Sequence, residues 1–217
     1  MSTVPENDPA AALALPSAAG SAASGTGTHR ARTATDVALV ATFAALIAVC
    51  ALLPSVAVAG MAVPITLQTF GVMLAGIVLG PRRGALAVGL YLAVGLAGLP
   101  VFAQGTGGLA VIGMASFGYL IAFPLAAGLA GALASWARRV RPGRHAVVLF
   151  GAAMAGSLVF THPIGIAVMG WRLALGPVEA IKVGAAFLPG DVLKNALVAV
   201  VAAAIFRAFP DMLRDRR

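Results

Sequence analysis

Apolar and polar positions fall into long blocks along this chain, and the blocks set its fold class. No charged residue occurs between Val37 and Pro81, and none between Gly84 and Ala137. A helix needs roughly 20 apolar residues to cross the hydrocarbon core of a bilayer, so each stretch has room for two or more spans. The breaks between and within blocks predict six spans, over 36–53, 63–80, 84–97, 115–137, 146–170 and 189–208. They are helical by necessity, because in lipid only a helix satisfies its own backbone N–H and C=O groups along one segment. The period-two alternation of a membrane barrel is absent. The expected fold is an all-α integral membrane bundle of six transmembrane helices.

The flanks are of different material. Residues 1–35 are rich in Ala, Ser, Gly, Thr and Pro, without a basic region ahead of an apolar core. They read as a disordered tail, with too little bulky apolar surface to offset chain entropy, and not as a secretory signal. The membrane domain is expected over 36–208, followed by a basic tail over 209–217.

Composition agrees with the pattern. The chain is 60% hydrophobic and 10% charged, against about 45–50% and about 25% in a soluble domain. Too few charges remain to cover a water-facing surface, so the lipid bilayer is the solvent. The net charge of +8 raises nucleic acid as a partner. Arginines clustered between apolar blocks, with no basic face interleaved with aromatics, exclude it. Twelve of the fifteen basic residues fall on one side of the expected bundle: Arg30, Arg32, Arg82, Arg83, Arg138, Arg139, Arg141, Arg144, Arg207, Arg214, Arg216 and Arg217. Arg172 and Lys182 fall on the other. The positive-inside rule then makes both termini cytoplasmic, in a multi-pass protein of the plasma membrane. A single cysteine, Cys50, permits neither a disulfide nor a cysteine metal site within the chain.

Against this apolar background the polar residues are conspicuous. In FLPGDVLKNAL, Asp191 and Lys194 open the last span from its outer end. Their i, i+3 spacing places them on one helix face. Each charge near the membrane centre costs roughly 2.5–3.5 kcal/mol on insertion scales. Two readings stand: an internal ion pair steadying the helix start, or a polar clamp for a ligand entering from outside. The outer loop over 98–113 is uncharged and glycine-rich, and includes Phe102, Gln104, Gly107 and Gly108. It is either a packed connector or a lid whose glycines let backbone approach a ligand. Gln68 within VPITLQT lies in a span, where a neighbouring helix or a ligand can take its amide. Tyr119 and Trp171 suit an interfacial aromatic belt, with ligand stacking the alternative for Tyr119. His162 has no second ligand nearby for a metal, and Pro163 after it predicts a kink. Small residues four apart, Ala41 with Ala45, Ala44 with Ala48 and Gly76 with Gly80, allow close helix approach.

Absences narrow the chemistry. There is no Walker A motif, no HExxH and no GxSxG, so ATP hydrolysis and hydrolytic catalysis have no residues here and the chain reads as a non-enzyme.

The stretch VPITLQTFGVMLAGIVLGPRRGALAVGLYLAVGLAGLPVFAQGTGG, residues 63–108, resembles the signature of the BioY family, the biotin-binding S components of energy-coupling factor (ECF) vitamin transporters. FLPGDVLK is similar to that family's last-helix motif, and the resemblance covers 36–208. It implies a six-helix fold with cytoplasmic termini and a biotin pocket opening outward. It implies that Asp191 and Lys194 line that pocket, Asp191 accepting from a ureido N–H and Lys194 meeting the carboxylate or ureido oxygen. Gln104, Gly107 and Gly108 would close over biotin, with Phe102, Tyr119 and Gln68 at its walls. The chain itself would need no cofactor. ATP would be hydrolysed by two ATP-binding partner subunits, joined to a transmembrane T subunit that docks on the Ala41, Ala45, Ala44 and Ala48 faces. The alternatives are another small vitamin as ligand, or a self-associating biotin transporter working without ATPases. One departure stands out: where the family pattern opening the fourth span is Pro-Thr-Gly-Gly-Tyr, residues 115–119 read ASFGY, which alters the helix start at Ala115 and Phe117.

Overall fold

The computed structural model describes residues 24–55 and 63–210. The chain divides into two units, Met1–Thr35 and Asp36–Arg217. Eight helices follow in order among the described residues: α1 (Ser24–Leu52), α2 (Gln68–Leu79), α3 (Pro81–Leu96), α4 (Phe117–Ala134), α5 (His145–Gly156), α6 (His162–Arg172), α7 (Pro177–Ala185) and α8 (Leu188–Ala208). No strand occurs among them; an isolated bridge joins Phe102 and Thr106.

Among the described residues, four helical stretches are long and apolar enough to cross a membrane: Thr33–Leu52, Phe117–Ala137, His145–Arg172 and Leu188–Ala208. Helices α2 and α3 have 12 and 16 residues, about 18 and 24 Å at 1.5 Å per residue. The expected second span therefore differs from the structure: helix begins only at Gln68, and 63–67 is non-helical. Pro64 biases the residue before it away from helical angles, and Ile65 and Thr66 are β-branched. Helix α1 starts at Ser24, ahead of the boundary expected at 36. The tail over 1–23 and the basic end over 211–217 lie outside the described residues.

The junction of α2 and α3 is one residue, Gly80, at φ 87°, a conformation glycine adopts without a Cβ penalty. Pro81 then supplies the first residue of α3, where its missing N–H is no loss. Arg82 and Arg83 accordingly sit in the first turn of α3 and not in a loop. Arg83 Nη2 reaches Asp36 Oδ1 at 2.8 Å, an exposed pair of small energetic weight.

Just before Pro163, where a kink is expected, the structure has a π turn. Helices α5 and α6 form one rod interrupted at Ser157–Thr161. Pro163 has no N–H for the carbonyl four residues back, Val159, and the wider i→i+5 turn lies at that point. The sequence reading did not include α7, whose start at Pro177, early Glu179 and late Lys182 are the usual helix-end signals.

Packing rests on small residues. Helix α4 buries Ala126, Ala127, Ala130 and Ala134 completely. At Gly76 the backbones of α2, α3 and α4 touch: a Cβ there would lie 2.8 Å from Ala127 Cα, and one at Gly84 would lie 2.5 Å from Gly76 Cα. Backbones this close gain dispersion contacts that larger side chains forbid. The outer surface carries Leu86, Val147, Leu193 and Val200, all exposed, as a lipid-facing bundle requires. On α1, Ala41 and Ala45 are exposed, but Ala44 is buried and Ala48 packs against the core. The expected docking role of Ala44 and Ala48 is therefore corrected, because a 100° step per residue turns that pair inward.

Gly76→Ala is expected to lower the melting temperature of the detergent-solubilised protein, since overpacking costs about 1–3 kcal/mol. Gly89→Ala, where a Cβ meets nothing within 4 Å, is expected to leave it unchanged or raise it. Equal melting temperatures for the two variants would contradict the backbone-contact account.

Candidate ligand-binding site

The start of α8 carries the charges. Pro189 and Gly190 occupy its first turn, and Asp191 sits beside them near the positive end of the helix dipole. Asp191 and Asn195 are buried at 4% and 1% exposure. Lys194 Nζ lies 2.6 Å from Asp191 Oδ1 and donates to Thr66 O at 3.2 Å. Thr69 Oγ1 donates to the same carboxylate oxygen at 3.3 Å. His162 Nε2 is 2.9 Å from Asp191 Oδ2, and His162 Nδ1 has no hydrogen-bond partner. One turn further along α8, Asn195 Nδ2 donates to Ser157 Oγ at 3.0 Å, tying the helix to the π turn.

Asp191, Lys194, Thr66 and Thr69 line a cavity of about 310 Å³, within the range of small-molecule sites at roughly 300–1,000 Å³. The non-helical segment from Val63 to Thr66 and Thr69 form one wall, the loop from Phe102 to Thr106 a second, and Tyr119, Leu120 and Phe123 of α4 a third. Phe187 and the head of α8 close it, and Thr161 projects from the π turn. The Tyr119 and Phe187 rings meet at 5.7 Å between centroids.

The loop around Phe102 is fixed by packing. The Phe102 ring fills the space a side chain at Gly95 would take and stands edge-on to Tyr91, centroids 5.4 Å apart. Gln68 Nε2 donates to Tyr91 Oη at 2.8 Å, and Tyr91 Oη donates to Val101 O at 3.2 Å. One relay thus joins the start of α2 to the loop across the cavity rim.

Of the residues singled out in the sequence, the structure brings together Asp191, Lys194, Gln68, Phe102, Gln104 and Tyr119 around this cavity. Gln104 takes a left-handed conformation at φ 60°, uncommon for a residue with a side chain. Gly107 and Gly108 do not line the cavity. A Cβ at Gly107 would lie 2.8 Å from Leu99 C, and Gly108, at φ 78°, donates its N–H to Gly95 O at 2.7 Å. Their role is to let the loop fold back on α3. Ala115 borders the cavity and Phe117 packs behind it, so the altered start of α4 does reach the pocket wall. Trp171 is 73% exposed and stands under the Arg172 guanidinium at 4.6 Å. The sequence reading did not assign Thr66, Thr69, Thr161, His162 or Asn195. Asn195 had a legible signal, four residues after Asp191 on the same helix face; the others are joined to α8 only by folding.

An apolar helical bundle around a cavity lined by aromatic, aliphatic and uncharged polar side chains with one ion pair is the arrangement of a membrane protein with a small-molecule site. Comparison with known proteins narrows the class. The model of the BioY family matches residues 22–211. The chain is similar to the biotin transporter BioY of Rhizobium etli, 38% identical over 161 residues that cover 72% of this chain and 85% of the relative. It is similar to the biotin transporter BioY of Rhodobacter capsulatus, 38% identical over 168 residues, 72% of this chain and 86% of the relative. Its fold matches the crystal structure of an S-component for biotin from an ECF-type ABC transporter, with a TM-score of 0.72, 26% identity, and coverage of 81% of this chain and 93% of the other. The chain belongs to the BioY family.

Asp191→Leu alone leaves Lys194 without its counter-charge in an apolar setting, a loss of about 3–5 kcal/mol for a buried pair broken on one side. Asp191→Leu with Lys194→Met removes both charges and is expected to recover most of the lost melting temperature. A double variant as unstable as the single would make the pair a structural requirement of the fold.

Proposed function

We propose that this chain captures biotin in the cavity at the head of α8, as the substrate-binding S component of an ECF transporter, and does no catalysis of its own. The observation that carries this reading is the placement of one ion pair, Asp191 with Lys194, beside Thr69 in a cavity whose other described lining residues are uncharged. Biotin's chemistry is complementary: a cyclic urea with two N–H donors and a carbonyl acceptor, an apolar thioether ring and valeryl chain, and a carboxylate. Asp191 Oδ2 accepts a ureido N–H, and Lys194 donates to an oxygen of the same ligand. The hydrocarbon parts lie against Phe102, Leu120 and Phe123. Family membership and the biotin relatives support the assignment.

The wider arrangement follows from that reading. Six crossings are proposed: the four long apolar stretches, α3, and α2 together with the 63–67 segment that precedes it. Both termini are placed in the cytoplasm of a plasma-membrane protein by the distribution of arginines. Biotin enters from the outer side, where Gln104 and its loop cover the cavity. Energy comes from partners, a T subunit and two ATP-binding subunits. The exposed Ala41–Ala45 side of α1 is the proposed docking face.

Isothermal calorimetry on the detergent-solubilised full chain is the direct test. Asp191→Asn and Lys194→Met are each expected to weaken biotin binding by about tenfold or more, the scale of a hydrogen bond to a charged group. Unchanged affinity in both variants would remove the site. Ala45→Trp is expected to reduce co-purification with the T and ATP-binding subunits while biotin binding stays at the wild-type level. Undiminished assembly would place the docking face elsewhere.

A further inference from the structure

Among the described residues, the buried side-chain polar atoms with neither a hydrogen-bond nor an ion-pair partner are Tyr119 Oη, Thr161 Oγ1 and His162 Nδ1. All three residues are more than nine-tenths buried, at 8%, 1% and 5% exposure. Their placement is not scattered. Tyr119 and Thr161 both line the cavity. His162 is Thr161's neighbour in sequence and lies 2.9 Å from Asp191 Oδ2. Buried polar groups are ordinarily satisfied, and a cluster that is not satisfied needs an explanation specific to the place.

The Asp191 carboxylate cannot satisfy a cyclic urea alone. Its Oδ1 already receives Lys194 and Thr69. Its Oδ2 lies 2.9 Å from His162 Nε2, and an oxygen with two lone pairs can accept one further donor. A cyclic urea brings two N–H donors and a carbonyl oxygen with two lone pairs, so at least one donor and one acceptor of the ring remain to be met. A hydroxyl is the side-chain group that both donates and accepts. We propose that the π turn presents Thr161 to the ligand, and that its hydroxyl hydrogen-bonds the cyclic urea beside Asp191, making Thr161 a specificity-determining residue of the site. Tyr119 Oη is the second hydroxyl of the same polar floor. The π turn is the device that brings Thr161 there, since it shifts the register of the α5–α6 rod immediately before His162. This inference rests on the biotin reading above.

The test is calorimetric titration of the full chain with biotin and with biotinol, which keeps the cyclic urea and replaces the carboxylate by an alcohol. Thr161→Val removes the hydroxyl at nearly constant shape, and Thr161→Ser keeps it. The expected result is a loss of about tenfold in biotin affinity for Thr161→Val, near-wild-type affinity for Thr161→Ser, and a loss by the same factor for biotinol. The unliganded Thr161→Val protein is expected to melt no lower than wild type, because the hydroxyl it lacks has no partner there. Should Thr161→Val not fold, Thr161→Ala against Thr161→Ser gives the same comparison. Wild-type biotin affinity in Thr161→Val overturns the proposal, as does a loss seen with biotin and not with biotinol, which would place the hydroxyl at the carboxylate. If the wild-type chain itself binds no biotin, the functional reading fails first and the role of Thr161 falls with it.

Discussion

A carboxylate buried inside an apolar bundle has to be compensated by the groups packed against it, because burial removes most of its hydration. Asp191 is compensated from three directions: by Lys194 on its own helix, by Thr69 at the start of α2, and by His162 after the π turn. Each partner belongs to an element with its own place in the bundle. Meeting the needs of one charge therefore sets α2, α6 and α8 around a common point. Lys194 adds a fourth tie, since its donation to Thr66 O holds the extended segment ahead of α2 against the head of α8. The cavity lies where these ties converge.

The rest of the bundle supplies rigidity away from that point. Around Gly76 and the buried alanines of α4, helices approach backbone to backbone and leave no room for a cavity. Toward the head of α8 the packing residues become large and aromatic, with Phe102, Tyr119, Phe123 and Phe187, and the helices are replaced by extended chain and a turn-rich loop. Small residues close one region of the molecule and bulky ones hold another open. The Gln68–Tyr91–Val101 relay then fixes the two irregular walls to each other, so that the rim has a defined shape although neither wall is regular secondary structure.

Much of this was legible in the chain before folding. The scarcity of charge made Asp191 and Lys194 visible, and their spacing placed them together, because helix periodicity is a local property. Phe102, Gln104 and Tyr119 were readable as candidates from an uncharged glycine-rich loop and an aromatic near a span boundary. Gly107 and Gly108 were readable as special but not as to purpose: a glycine that admits a ligand and one that admits its own chain look alike in sequence. Ala44 and Ala48 show the same ambiguity, since small-residue spacing says that a face is smooth and not which neighbour lies against it.

The apolar blocks by themselves determined a helical protein with lipid as its solvent, since that follows from how many charges a surface needs and from the obligation to satisfy backbone groups in hydrocarbon. The motifs determined the family. Only the tertiary structure decided that Thr69 and His162 share a carboxylate with Lys194, that Phe102 fills the space over Gly95, and that a π turn sets Thr161 at the cavity. Those are contacts between residues far apart along the chain. Their energies depend on distance and alignment in space, and no local pattern of residue types encodes either.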